Sequence, residues 1–227
     1  AEVDGRRVRR SYSPTPLPGR RFAITVQAVP GGRLSQHLVR TARVGDVLTV
    51  EAPFGTLALP TGDAPVLLLA GGIGITPLMA LLRAELARGS TRPITLAYWV
   101  RTPGDACFVD ALRALSAAHP SLHLHLATTR AKDARFQAGR LDAATLGSLM
   151  PEPGVTHVLA CGGAGFVEHA RALAMPGAAT FQAEAFSPPP VPEGEDGESE
   201  VRLLRTGTTL RVPRNLPLLV ALEAAGL

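Results

Sequence analysis

The chain has few aromatics, almost no lysine and only two cysteines, and each shortage removes a class of function. Cys107 and Cys161 are too few for a disulfide framework or a cysteine-rich metal centre, which points to a reducing, cytoplasmic setting. His123 and His125 share one face of a predicted strand, but no third ligand stands beside them, so no zinc site is expected. No apolar run approaches the roughly 18 residues of a membrane span, and no secretory signal opens the chain. Aromatics are 4% of the sequence and the net charge is only +4, so neither the stacking platform nor the basic face of a nucleic-acid binder is present. G-x-S-x-G is absent, and with it the nucleophile elbow of a hydrolase. No internal repeat is found.

What is present is a 227-residue chain, 46% apolar, enough for one large or two small domains. Of its 23 basic residues only Lys132 is a lysine; arginine suits bidentate contacts to phosphate. The central stretch is 66–82, VLLLAGGIGITPLMALL. Its apolar opening predicts a strand buried on both faces. Gly71, Gly72 and Gly74 predict a sharp turn with room for close approach. Thr76-Pro77 predicts a helix start, with the hydroxyl as N-cap and proline at the first helical position. Such a strand–turn–helix aims free N–H groups and the helix dipole at one point, which suits a phosphate.

Residues 1–62 read as β, with strands at 21–29, 44–52 and 56–59 and Arg10–Ser13 on the first strand. Gly31-Gly32 opens a short helix there, a second candidate anion site. From 63 to 186 strands and helices alternate, which predicts a doubly wound parallel sheet with ligand at its carboxyl edge. The expected strands are 66–70, 94–100, 122–128, 155–160 and 179–184. Helices are expected at 76–88, 105–118, after Asp142 and at 166–174. Residues 187–200, SPPPVPEGEDGESE, read as an extended linker. A hairpin and one helix fill 201–227, too small a core to stand alone.

Six motifs follow one another: R-x-Y-S (Arg10, Tyr12, Ser13), G-x-x-S-x-x-L (Gly32, Ser35, Leu38), P-F-G (Pro53–Gly55), G-G-x-G-x-T-P (Gly71–Pro77), C-G-G (Cys161–Gly163) and E-x-F (Glu184–Phe186). In this order they resemble the ferredoxin–NADP reductase superfamily over residues 8–186. The resemblance implies a flavin-binding antiparallel barrel, partial here, and then a nicotinamide-binding α/β domain. It implies that Arg10 and the amides of Gly32, Arg33, Leu34 and Ser35 hold the FAD pyrophosphate, that Tyr12 packs on the flavin, and that Ser13 lies near flavin N5. Gly71, Gly72, Gly74, Thr76 and Pro77 would bind the pyrophosphate of the nicotinamide dinucleotide. Cys161, with Gly162 and Gly163, would lie beside the nicotinamide, Glu184 near the reacting edge and Phe186 at the flavin ring. Ser13, Cys161 and Glu184 are the expected catalytic group.

The pattern departs from the family in three places. Gly163 stands where the family usually has proline. Only nine residues precede Arg10, so about 50 or more barrel residues would be expected ahead of them. Residues 201–227 resemble the start of a β-grasp, plant-type [2Fe–2S] ferredoxin domain whose ligand run C-x₄-C-x₂-C is not in this sequence, so the cluster is expected only in a longer chain.

The implied activity is hydride transfer from NAD(P)H to FAD, then single-electron delivery through [2Fe–2S] to an oxygenase, a desaturase or a similar acceptor. The alternatives are a non-catalytic flavin-binding subunit and a flavin reductase that releases free reduced flavin. Thr129-Arg130 at the end of strand 122–128 resembles the pair that NADPH-using members place on the 2′-phosphate, with Arg101 as a second cation. NADPH is therefore expected, with NADH possible.

Overall fold

The computed structural model describes residues 1–3, 5–17, 19, 21–187 and 197–226, in two compact units, Ala1–Phe186 and Ser187–Leu227. The first unit opens with β1 (Glu2–Val3), β2 (Arg6–Arg7), β3 (Pro14–Leu17) and β4 (Arg21–Ile24), followed by α1 (Arg33–Arg40). After these come β5 (Val66–Gly71), α2 (Ile75–Ala87), β6 (Ile94–Val100), α3 (Val109–Ala118), β7 (Leu122–Thr128) and β8 (Gln137–Ala138). The unit closes with α4 (Ala143–Leu149), β9 (His157–Gly162), α5 (Ala164–Ala174) and β10 (Thr180–Ala185). The second unit holds β11 (Glu198–Arg202), β12 (Thr209–Pro213) and α6 (Leu218–Ala224).

One six-stranded sheet dominates, in the order β10-β9-β5-β6-β7-β8, with every neighbouring pair parallel. Both faces are covered, as the near-continuous apolar strands foretell. On one face Val66, Leu68 and Ala70 pack with Ile75, Leu78, Met79 and Leu82 of α2 and with Leu112 of α3. On the other, Leu67 and Leu69 pack with Leu146 of α4 and with Ala170 and Ala174 of α5. The chain winds outward from β5 through β8 and then returns to lay β9 on the opposite side of β5. This sets the topological switch point between β5 and β9, where the crevice of such a sheet forms.

Arg92 closes the entry to this sheet. Its guanidinium, 1% exposed, donates to the carbonyls of Ala64 (2.7 and 3.1 Å) and Pro60 (2.9 Å) and faces Glu85 at 3.6 Å. The connector at 60–64 is thereby pinned to α2.

The first 62 residues are less regular than predicted. Antiparallel pairs β1–β2 and β3–β4 form, but Arg10–Ser13 is coil and the strand from Arg21 stops at Ile24. The strands expected at 44–52 and 56–59 are absent. Val44, Val47, Val50 and Phe54 are exposed, because among the described residues no neighbouring strand or apolar face meets them, and a strand without either is not stable. Other boundaries move for local reasons. A 3₁₀ turn at Gly72–Gly74 runs into α2, which makes Gly74 the N-cap; Thr76 instead donates its hydroxyl to the Ile73 carbonyl at 3.0 Å, while Pro77 keeps its place in the first turn. The helix expected from 105 begins at Val109, because Phe108 takes a left-handed backbone, φ 63°. The linker expectation at 187–200 lies largely outside the described residues, and β11 begins inside it. In the second unit β11 and β12 pair antiparallel, with Val212 and Ala221 buried.

Candidate functional site

At the switch point the two glycine turns meet. Ala70 is paired with Cys161 across β5 and β9. A Cβ on Gly74 would strike the Cys161 carbonyl, and a Cβ on Gly162 would lie 3.0 Å from the Gly71 carbonyl oxygen, so these glycines let the turns touch. Gly72 differs: its φ is +55°, which favours glycine, and nothing lies within 4 Å of where its Cβ would be. The turn is thus packed on its inner side and open at Gly72. The first N–H groups of the 3₁₀–α2 run, which have no helical carbonyl to bond, face the same turn. That combination suits a pyrophosphate.

Cys161, Glu184 and Phe186 are brought to this point from β9 and β10. Glu184 is the register partner of Cys161, and the Phe186 N–H donates to the Gly162 carbonyl at 2.9 Å. Cys161 is fully buried; burial, with the Glu184 carboxylate adding to it, pushes its thiol up to about 12. It is a neutral thiol. Glu184 and Phe186 are exposed, and Gly163 is the N-cap of α5. Ser13 is not drawn into this group; it lies in the coil before β3.

Arg101, Thr129 and Arg130 are brought together at the carboxyl edge of β6 and β7. The Thr129 and Arg130 amides donate to the Val100 and Arg101 carbonyls at 2.9 and 3.0 Å, so pairing continues past the strand ends. The two acids of this edge are each committed elsewhere. Asp105 accepts from the Thr102 amide and hydroxyl at 2.9 and 2.8 Å. Asp133 is held by Arg135 at 3.0 Å, not by Arg130. The exposed guanidinium groups of Arg101 and Arg130 form no ion pair among the described residues, which leaves this edge attractive to an anion.

In the first lobe α1 follows Gly32 as N-cap. The buried Ser35 hydroxyl accepts from the Val29 amide and donates to the Gly32 carbonyl, both at 3.2 Å. A Cβ on Gly32 would sit 2.5 Å from that oxygen, so the loop 29–35 closes only over glycine. The amides of Arg33, Leu34 and Ser35 open the helix. Gln36 Oε1 is buried there with no partner among the described residues, which fits a cradle for a polar ligand. Tyr12 packs against the cluster of Val3, Val8 and Leu34, which raises its phenol through burial; Arg10 is exposed. The residues present do not fit an iron–sulfur cluster: among those described, no three His, Cys, Asp or Glu group to hold a metal. His125 packs its ring on Trp99, centroids 5.3 Å apart.

Two side chains that matter here carry no motif in the sequence. Arg92, at the amino-terminal edge of the sheet and away from the site, is identified only by its burial. Phe166 was read as the opening of a helix, although its ring lies against both glycine turns.

Residues 1–59 match the oxidoreductase FAD-binding domain family and residues 68–172 the oxidoreductase NAD-binding domain family. An NADPH oxidoreductase of Mycobacterium tuberculosis is 36% identical over 174 residues, 74% of this chain and 44% of that protein. A ferredoxin–NAD(P)(+) reductase component of naphthalene 1,2-dioxygenase/salicylate 5-hydroxylase systems from Ralstonia is 29% identical over 186 residues, 79% of this chain and 56% of that protein. The chain thus spans about half the length of these curated relatives. Phthalate dioxygenase reductase, described as a modular structure for electron transfer from pyridine nucleotides to [2Fe–2S], superposes with a TM-score of 0.67 at 27% identity, covering 100% of this chain and 68% of that one. An FAD-binding domain followed by an NAD-binding domain on this doubly wound sheet, shared with such reductases, makes the chain a member of the ferredoxin reductase family.

Proposed function

We propose that this chain carries the flavin and nicotinamide lobes of an FAD-dependent oxidoreductase that oxidises NAD(P)H and sends the electrons to a [2Fe–2S] centre, which these residues do not themselves supply. One observation carries the reading: the turns at Gly71–Gly74 and Cys161–Gly163 touch at the switch point while Gly72 stays open. We assign 1–62 to flavin binding, 63–186 to nicotinamide binding, 187–200 to a linker and 201–227 to the opening of a ferredoxin-like domain.

In this reading the amides that follow Gly72, with Gly71, Gly74, Thr76 and Pro77 shaping the turn, bind the dinucleotide pyrophosphate. Cys161, Gly162 and Gly163 border the nicotinamide, Glu184 stands at its reacting edge, and Phe186 meets the flavin ring. Arg10 and the amides of Arg33, Leu34 and Ser35, behind Gly32, hold the FAD pyrophosphate; Tyr12 packs on the flavin and Ser13 lies near its N5. When bound, FAD accepts hydride from the reduced nicotinamide and releases electrons singly. The chain's own residues orient the reactants and exclude water. A neutral Cys161 thiol adds bulk beside the nicotinamide without adding charge.

Thr129, Arg130 and Arg101 favour NADPH over NADH, since a dianionic 2′-phosphate rewards a hydroxyl and guanidinium groups. The electron acceptor is a redox protein of the oxygenase or desaturase kind, and the location is cytoplasmic; among the described residues no helix is long and apolar enough to cross a membrane. The test is anaerobic titration of the FAD-loaded protein with NADPH. Bleaching of the flavin bands, with ferricyanide reduction on turnover, is the expected result. A flavin that stays oxidised with both NADPH and NADH would sink the reading.

A further inference from the structure

Gly71 has an extended backbone, φ −114° and ψ 114°, which any residue adopts. Glycine is therefore not required there by conformation. What a side chain would meet is Phe166: a Cβ on Gly71 would lie 2.7 Å from its Cγ and 2.8 Å from its Cδ1. The same ring stands 3.0 Å from the corresponding point on Gly162. Gly71 ends β5 and Gly162 ends β9, so one aromatic ring lies against both halves of the switch-point turn. It is not free to swing away. The Phe166 amide bonds the Gly163 carbonyl at 3.0 Å, and its ring rests against Trp99, centroids 6.0 Å apart and planes 46° apart. Trp99 is in turn the register partner of Gly71.

We infer that Phe166 is a positioning residue for the dinucleotide: its ring is the spacer beneath the touching Gly71–Gly74 and Cys161–Gly163 turns that sets how they present their amides. Gly71 is glycine because Phe166 occupies the space of its side chain. The inference rests on the assignment of this crevice to NAD(P)H. It adds that the shape of the cradle is set from beneath, by a side chain that need not touch the ligand. A shift of the turns by a fraction of an ångström is enough to spoil amide-to-phosphate geometry, which is steep in distance and angle.

The experiment is a double-mutant cycle read by calorimetric binding of NADP⁺ to the full chain, with thermal melting recorded for every variant. Phe166→Ala is expected to weaken NADP⁺ about tenfold, and Gly71→Ala to weaken it at least as much, the scale of coupling between touching residues. In the Phe166→Ala background, Gly71→Ala is expected to cost nothing further, because the obstructing ring is gone. Strictly multiplying losses, or NADP⁺ binding by Phe166→Ala at the wild-type level, would overturn the inference. If Gly71→Ala does not fold, Phe166→Leu decides: weaker NADP⁺ binding with an unchanged melting temperature supports the spacer, and unchanged binding refutes it. Wild-type protein that takes up neither NADP⁺ nor NAD⁺ overturns the nicotinamide assignment itself, an outcome distinct from both.

Discussion

The Asp133 carboxylate is closed over Arg135. It accepts from the guanidinium at 3.0 Å through each of its two oxygens and from the Arg135 amide at 2.9 Å, and these bonds pull its carboxyl down to about 2. Arg130, three residues before Asp133, has no counter-ion among the described residues. Arg130→Ala should therefore lower kcat/KM for NADPH by about 1–3 kcal/mol, the scale of a lost charged hydrogen bond, and leave NADH nearly unchanged. Arg135→Ala should act in the same direction by releasing Asp133 toward Arg130. Steady-state kinetics with both coenzymes checks each, and equal losses for NADPH and NADH would remove Arg130 from the 2′-phosphate.

Cys161 should resist alkylation in the folded protein, since the thiolate is the reactive form and burial holds this thiol neutral up to about pH 12. Iodoacetamide followed by peptide mass spectrometry should label the half-buried Cys107 first. The same shift has a stability consequence. The folded group titrates above its unfolded value of 9.0, so its contribution is complete below pH 9 and is lost as pH rises toward 12. Tyr98, raised by burial, adds a loss of the same sign. Cys161→Ala should flatten the alkaline fall in chemical-denaturation stability over this window.

Glu184→Ala and Cys161→Ala should slow flavin reduction more than they weaken coenzyme binding, as expected for groups at the reacting edge. Stopped-flow reduction at saturating NADPH separates the two effects. Wild-type rates in both variants would leave them as packing and surface residues.

Ser35→Ala removes a hydroxyl that bridges the Val29 amide and the Gly32 carbonyl. The loss should be about 0.5–1.5 kcal/mol of local stability, the scale of one ordinary hydrogen bond, since Val29 is itself exposed. FAD retention after gel filtration should fall with it, while NADP⁺ binding stays as in the wild type.

Arg92→Met should destabilise the nicotinamide lobe by about 3–5 kcal/mol, the usual result of breaking a buried ion pair on one side. Glu85 and two backbone carbonyls lose their donor together. Denaturant unfolding followed by Trp99 fluorescence is the measurement.

The α/β part was legible because each of its signals is local. The strand at Val66–Gly71 is an unbroken apolar run, and strands 94–100 and 122–128 lie where the sequence places them. Asp142 caps α4, accepting from the Thr145 amide at 2.7 Å. The first lobe was less legible, since alternation in 44–52 states a preference for a sheet but cannot supply a partner strand. At the site, the glycine motifs marked the turns, but their geometry depends on Phe166 and on the carbonyl of Cys161, both far away in sequence. Thr76 misled for a related reason: a hydroxyl before proline reads as a cap, but a 3₁₀ turn already supplies the carbonyls that such a cap replaces. The Asp133–Arg135 closure was also missed, because spacing alone allowed Asp133 to neutralise Arg130.

The return of the chain from β8 to β9, beside β5, also has a kinetic side. Ala70 and Cys161 are neighbours although all of β6, β7 and β8 lies between them in the chain, a long-range contact of the kind that slows folding. The cradle between the two turns is complete only when β9 lies beside β5. A bound dinucleotide stabilises only that last state. Amide hydrogen exchange at the carboxyl ends of β5 and β9 should therefore slow when NADP⁺ is added.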